Sequence, residues 1–530
     1  MLKNYGAKVI AVPLLLLLAA CGGNNGQQDP AGEIPTPEVI GIELPAGGSE
    51  IVFAQWSNPP SLDPHGSNDT VSSEVQLQIF EGLTNFDANG NVVGQLAESF
   101  EAIEPTVWEF RLRQGVTFHD GEPLTAEAVY LSISRLLAPE TASPRAFILE
   151  MVDEIVIVDD HTIHFITPFA FAALPAHLAH PAGLIISPAS IAAEAAGQEN
   201  AINDHPIGTG PFVFYSRIHG QEIVMTRNDN YWGNHANVET LRFLVIPEPA
   251  QRTNMLLTGE VNTTVASAID AQVIRDTDGL ELMEIYSSRQ NYVGFNINVA
   301  PFDDIRVRQA IAMVLDLEGI IYGVAGMGIP AAGPLSPAVA GSAAAGLSPL
   351  TGTVEEAREL LAEAGFPDGF STTISLGAGR PIEEGLTAQI LQANLLSIGI
   401  NATINEIEWG AFLDYTEVGN HEIFILGWTV VTGDADAGMF PLFHTTMHGA
   451  QGNRTFYSNP VVDDLLEQAR METNVSARND LYRQITEILI YEVPMISTFY
   501  PTFAVGINGI EGLFVNFNAM PFFYTATLTN

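Results

Sequence analysis

Beyond Lys8 the chain contains no lysine: its 20 Lys plus Arg are Lys3, Lys8 and 18 arginines, set against 62 Asp plus Glu. The formal net charge of −42 excludes nucleic-acid binding driven by counterion release, which needs cations to displace condensed ions. Cysteine occurs once, at Cys21, which rules out an intrachain disulfide and a cysteine-built metal centre. Charged residues are only 15% and apolar residues 47% of the 530, so the chain is neither disordered nor collagen-like and has material for several cores. Catalytic signatures are missing as well. There is no G-x-S-x-G elbow and no H-E-x-x-H helix, and Gly208, Thr209, Gly210, Pro211 lacks the further glycine and helix of a dinucleotide fingerprint. Neither an enzyme nor a bound cofactor is expected.

What is present begins with Lys3 and Lys8 ahead of an apolar run from Val9 to Ala20. Twelve residues are too few to cross a hydrocarbon core as a helix, so residues 1–20 read as a secretion signal. The run closes on Leu18, Ala19, Ala20, Cys21, Gly22, which resembles a bacterial lipobox and implies that Cys21 carries lipid. More than one acyl chain makes such an anchor firm. Residues 21–48, rich in Gly, Asn, Gln, Pro and Glu, read as a flexible stalk. With the signal removed, 18 basic residues face the same 62 acidic ones, a net charge near −44. Such a surface repels anionic lipid and tolerates salt that screens its self-repulsion, so adaptation to salt or acid is expected.

The body alternates strands and helices. Ile51–Gln55 and Ile423–Trp428 read as strands, Val107–Leu112 alternates apolar and polar residues as a half-buried strand does, and 155–158 with 162–166 suit a hairpin. Thr125 is placed to cap a helix through Leu137, Asp304 another, and Thr353 with Glu356 forms a capping box that Gly365 can close. Further helices are expected near 383–396, 461–471 and 477–491.

The segment VWEFRLRQGVTFHDGEPLTAEAVYLSISRL, Val107 to Leu136, resembles the signature region of bacterial extracellular solute-binding protein family 5, the dipeptide, oligopeptide, glutathione and nickel-complex receptors of ABC importers. PPSLDPH at 59–65, IGTGPFVF at 207–214, PFDDIRVRQAIAMVLD at 301–316 and GNRTFYSNPVVDDLL at 452–466 follow in the family's order. The resemblance implies an α/β, type II periplasmic-binding-protein-like Venus flytrap. Lobe 1 would comprise 49–290 plus 490–530, with an inserted extra domain at about 83–203, and lobe 2 would comprise 291–489. Crossings near 288–292 and 491–497 would serve as hinges. It further implies a monomer outside the cytoplasm, held at the membrane by its lipid, which delivers a short peptide or peptide-like solute to a permease and its ATPase. Glutathione, an opine, an oligosaccharide or a nickel chelate are the alternative solutes.

A peptide in a closed cleft needs a carboxylate for its amine, a guanidinium for its carboxylate and aromatic walls. The candidates are Trp428, Asp434 and Asp436 in GWTVVTGDADAGMFPLFH, Arg454 and Tyr457 in GNRTFY, and Asn58 and Arg289 by position. Family members that grip a peptide amine place Asp three residues after the Trp of this Gly-Trp pair, where this chain has Val431. His444 and His448 stand four apart, without a third histidine or a cysteine near enough in sequence to make a metal site.

Overall fold

Two long antiparallel strands organise the molecule. In the computed structural model, which describes residues 48–529 apart from 89, 343–345, 378–381 and 408, Leu280–Tyr286 and Arg289–Phe295 run one after the other along Met495–Asn508. Leu280 faces Asn508 and Tyr286 faces Thr502; beyond a two-residue break, Asn291 faces Phe499 and Gly294 faces Met495, with a bulge after Asn291. The secretion signal, Cys21 and the stalk up to residue 47 lie outside the described residues.

The halves of this ribbon belong to different lobes. On one half the sheet grows through Thr263–Ala266, Glu50–Gln55 and Thr240–Val245, all parallel, then antiparallel Glu222–Arg227 and Phe212–Ile218. On the other it grows through Ile423–Thr429 to Ser371–Gly377 and Asn401–Ile407, the last three parallel. Residues 495–501 of the long strand pair with Arg289–Phe295 and Gly328–Pro330, and residues 502–508 pair with Leu280–Tyr286, so the pairing changes from one half to the other at 287–288 and at 501–502.

Helices form where the sequence supplies caps and a single apolar face. Thr125 accepts from the Ala128 amide and starts Ala126–Leu137. Asp304 does the same for Ile305–Val314, and Thr353 with Glu356 completes the capping box of Val354–Glu363. Each satisfies amides that a helix start leaves without partners. Gly365 stands just past that helix at φ +97°, a conformation that costs an L side chain dearly. Helices Ile305–Val314, Val354–Glu363 and Ile382–Ser397 cover one face of the lobe 2 sheet over Val293, Phe295, Ile374 and Ile423.

A separate four-stranded antiparallel sheet, in the order Ala97–Glu104, Val107–Leu112, Thr162–Ile166, Glu154–Asp159, carries Ala126–Leu137 on one face around Phe110, Ile133 and Phe165. Trp108 is buried there and its Nε1 donates to the Phe171 carbonyl at 3.0 Å. This domain reaches across to lobe 2. The Ala172 amide donates to the Arg470 carbonyl at 2.7 Å, and Val431 packs against the domain's core. The Arg470 guanidinium sits 3.5 Å from the Phe440 ring centre and 5.5 and 5.8 Å from those of Phe169 and Phe171. A second contact joins the lobes where the edge-to-face pair Phe86 and Phe517 meets Gly433. A Cβ on that glycine, itself at φ +65°, would lie 2.4 Å from the Phe517 ring.

Burial of ionisable groups ties stability to pH with opposing signs. Glu74, on helix Thr70–Ile79 and accepting from Gln55 Nε2, is driven by burial up to about 8, and Glu81 likewise to about 7. Between the ordinary carboxyl range and those values the folded chain binds more protons than the unfolded one, so this contribution is present in acid and lost as pH rises. Burial lowers His65, His177 and His180 below the usual imidazole range, so their contribution is present at neutral pH and lost as pH falls. Glu74→Gln should therefore raise the denaturation midpoint at pH 8, with the gain shrinking towards pH 4.5; a midpoint difference independent of pH, measured by urea titration at four pH values, would refute the assignment.

Candidate functional site

In an open α/β sheet ligands gather outside the carboxyl ends of the parallel strands. In lobe 2 those ends are Gly377, Ile407 and Thr429; in lobe 1 they are Gln55, Val245 and Ala266. Thr429 pairs with Arg289 at the point where the chain enters lobe 2.

The pairing register then decides what stands on each face of the strand. Arg289 and Asn291 share one face over Gly427, and Gln290 shares the other with Trp428. Arg289 occupies the space over Gly427: a Cβ there would lie 2.1 Å from Arg289 Nη2, so a larger residue would displace the guanidinium. The guanidinium is oriented by Asn291 Oδ1, 3.1 Å from Nε, and by Glu384 Oε1, 3.1 Å from Nη2. The Glu384 side chain is fully buried while that of Arg289 keeps 22% of its surface exposed. Asn291 and Gln290 both spend their amide oxygens inside the protein, on Arg289 Nε and Ser497 Oγ respectively. Their buried NH2 groups have no protein partner, which is uncommon for buried donors. A cation and an adjacent amide donor on one face can take an anionic oxygen pair such as a carboxylate.

Trp428 is half-buried, its Nε1 donating to the Ala437 carbonyl at 2.8 Å and its ring packed against the core around Tyr292 and Phe424. Trp56, directly after strand Glu50–Gln55 in lobe 1, is 50% exposed.

The remaining sequence candidates are held elsewhere. Asp434 caps helix Ala435–Phe443 and meets Arg478 in a two-pronged ion pair with both contacts at 2.6 Å. Burial pushes its carboxyl upward, and the facing Arg478 guanidinium more than cancels this, so it titrates below the ordinary range. Asp436 is bound by Arg470 at 2.8 and 3.2 Å. The two carboxylates, each under 5% exposed, thus neutralise arginines of their own lobe. Arg454 donates to the Leu413 carbonyl and Thr416 Oγ1, and Tyr457, only 2% exposed, bonds Glu492. Asn58 fastens a lobe 1 turn through the Pro59 carbonyl and Gly220 amide. His444 and His448 do not share a helix: His444 stacks on Phe440 at 4.2 Å, and His448 Nε2 lies 2.9 Å from the Tyr457 carbonyl. Among the described residues no three metal-ligating side chains converge.

Sequence reasoning missed Glu384, Gln290, Asn291 and Trp56. Only Trp56, an aromatic at the end of a legible strand beside the Pro-Pro turn, carried a local signal. Glu384 lies 95 residues from Arg289, and nothing in its own helix marks it. An apolar cavity of about 350 Å³ in lobe 2, lined by residues 312–318, 330–334, 349–351 and 489–497, contains Asp316 and Glu318 but no cation, and so offers nothing to a carboxylate.

Comparison with known proteins agrees with this architecture. The family model described as "Bacterial extracellular solute-binding proteins, family 5 Middle" matches residues 91–449. The glutathione-binding protein GsiB of Pectobacterium atrosepticum is 30% identical over 457 residues, 84% of this chain and 88% of that one, and its namesake from Salmonella typhi has the same identity and coverage. Among solved structures, HbpA2 from Haemophilus parasuis superposes with a TM-score of 0.86 at 27% identity, over 91% of this chain and all of that one. DppA from Helicobacter pylori in complex with the peptide STSA gives 0.71 at 25% identity, over 91% and 98%. The fold is the two-lobed type II periplasmic-binding-protein architecture, and its work is binding rather than catalysis. With a family-model match over most of the chain, ligand-side strand ends in both lobes and a ribbon joining them, this protein belongs to the bacterial extracellular solute-binding proteins of family 5.

Proposed function

We propose that the chain is the lipid-anchored receptor of an ABC importer and captures a short peptide or peptide-like solute by its carboxylate at Arg289. The observation that carries this reading is the guanidinium laid over Gly427 and braced by Asn291 and Glu384. Bracing on two sides lowers the ordering cost of gripping a carboxylate, because the fork is already aimed. Relatives supply the solute class: glutathione for GsiB, the peptide STSA for the Helicobacter DppA, and agropinic acid for AgaA of Agrobacterium tumefaciens, whose structure is 25% identical. A carboxylate is common to all three. Glutathione is the first solute to test.

The reading extends to both ends of the transport step. Solute held between lobes selects the shut conformation, which lets a permease tell a loaded receptor from an empty one. Lipid on Cys21 and the stalk of residues 21–48 would keep the receptor beside that permease, with residues 291–294 and 495–499 assigned to lobe 2 and 280–286 and 502–508 to lobe 1. Asp434, Asp436, Arg454, Tyr457 and Asn58 are assigned to structure, and Trp428 to the wall behind the site.

Titration calorimetry of the full chain with glutathione, di- and tripeptides and an opine tests the anchor. For whichever solute binds, Arg289→Gln should cost about 3 kcal/mol, more than a hundredfold in Kd, and unchanged affinity would remove Arg289 from the site. Asp434→Asn and Asp436→Asn should behave in the opposite way. Each leaves a buried guanidinium without its counter-charge, so denaturant titration should show a loss of about 3 kcal/mol, while solute affinity stays within about twofold because the sites are separate. Loss of solute binding at native stability in either variant would return that carboxylate to the ligand.

A further inference from the structure

A second concavity in the molecule has chemistry unlike that of the Arg289 site. It is a cavity of about 480 Å³ lined wholly by lobe 1 and the chain's last strands, with Tyr231, Trp232, Phe514 and Tyr524 presenting partly exposed rings. It shares Asp87, Ala88 and Phe514 with a neighbouring cavity of about 260 Å³, which continues past Glu284 and Tyr286 to Pro337 and Ala338 of lobe 2. The two form one groove that runs from the side of lobe 1 to the seam between lobes. Neither Arg289 nor Trp428 lines it.

The groove combines aromatic faces with negative charge and lacks any basic residue. Glu81 at its base accepts from Tyr231 Oη at 2.7 Å and Trp232 Nε1 at 2.8 Å, with Thr209 and Gln95 completing its shell. Those bonds fix both rings and, by donating towards a carboxyl group, leave their π faces richer in electron density. Asp87 and Glu284 add carboxylates along the wall, and no Arg, Lys or His lines either cavity. The face of Trp232 already attracts a cation from within the protein, since the Arg113 guanidinium stands 5.1 Å from its ring centre. Around this groove lies a chain of net charge −42, whose field concentrates cations at its surface. Arg113 stands by Trp232 but does not line the groove, and aromatic rings beside acidic groups in a lining without bases are surroundings in which a poorly hydrated ammonium gains.

We propose that this groove is a second binding site, for an organic cation with an apolar body, such as an aryl-alkyl quaternary ammonium, and that it operates independently of the carboxylate anchor at Arg289. At about 480 Å³ the site is large enough for a guest of about a dozen heavy atoms.

Calorimetry of the full chain with benzyltrimethylammonium chloride, with benzyl alcohol and benzenesulfonate as neutral and anionic counterparts, tests it. The cation should bind at least about tenfold more tightly than either counterpart. Trp232→Leu and Tyr524→Leu should each weaken it by about fivefold or more, and Arg289→Gln should leave its Kd unaltered. Absence of cation binding, equal affinity for benzyl alcohol, or indifference to both aromatic variants would overturn the proposal. So would loss of the cation in Arg289→Gln, which would place it in the interlobe site; that outcome is separable from a failure of the Arg289 assignment, which is read with glutathione. Because Trp232 is tied to Glu81, Tyr524→Leu carries the test should Trp232→Leu lose its native thermal transition.

Discussion

Two adjacent strands carry the chain between the lobes, and every other feature of the molecule is arranged around that economy. Among the described residues the pairing passes from one half of the ribbon to the other at 287–288 and 501–502, and hinge motions generally use a few residues at the ends of such elements. A ladder so narrow does not by itself hold two bodies in register. The contacts on either side of it do: Phe86 and Phe517 against Gly433, and the extra domain's Ala172 and Phe171 against Arg470. Arg289 lies on this ribbon, at the start of the strand that follows 287–288, so under the proposed function a small rotation there would change the geometry of the anchor directly.

The arginine-only cation set bears on the same arrangement. A chain with 62 acidic residues must bury some carboxylates, and a buried carboxylate is tolerable when its partner offers several fixed donors. Asp434 with Arg478, Asp436 with Arg470, and Asp63 and Glu194 around Arg135 all use the guanidinium fork. Lysine, a point charge on a flexible stem, satisfies fewer lone pairs per cation. The net charge of −42 sets up a field that opposes an anionic solute. Salt screens that field over roughly 8 Å at physiological strength and less at higher strength, whereas the contact at Arg289 is short-ranged and is screened far less. Under the proposed function, capture of a carboxylate by so acidic a receptor would be easiest where salt is plentiful, which is also where its surface repulsion is least costly.

Local structure was legible in the sequence because its causes are local. The strands at Glu50–Gln55 and Val107–Leu112, the hairpin of Glu154–Asp159 with Thr162–Ile166, and the helices capped by Thr125, Asp304 and Thr353 each rest on a spacing of two or 3.6 residues and one polar cap. The site was less legible because its causes are distant. Asp434 and Asp436 beside a Gly-Trp strand look like ligand groups until Arg478 and Arg470, 44 and 34 residues on, are folded back onto them. Arg289 stood out only by its place near a crossing. What orients it, Glu384 and the bare Cα of Gly427, comes from one helix and one other strand, and no periodicity connects them.

Val431 illustrates how the choice of solute is written into these long-range contacts. Where family members that hold a peptide amine present an aspartate, this chain presents an apolar side chain that packs on the core of the extra domain. An aspartate at that position would be drawn out of water against Phe and Leu side chains, at a cost that only a cationic partner offsets. Val431 contributes an apolar contact rather than a charge there, and the acids three and five residues further on are already neutralised by Arg478 and Arg470. Under the proposed function, selection falls to the opposite end of the solute, at the guanidinium of Arg289 braced by Asn291 and Glu384, and a receptor of that kind would discriminate by the presence of a carboxylate while tolerating variety at the amine.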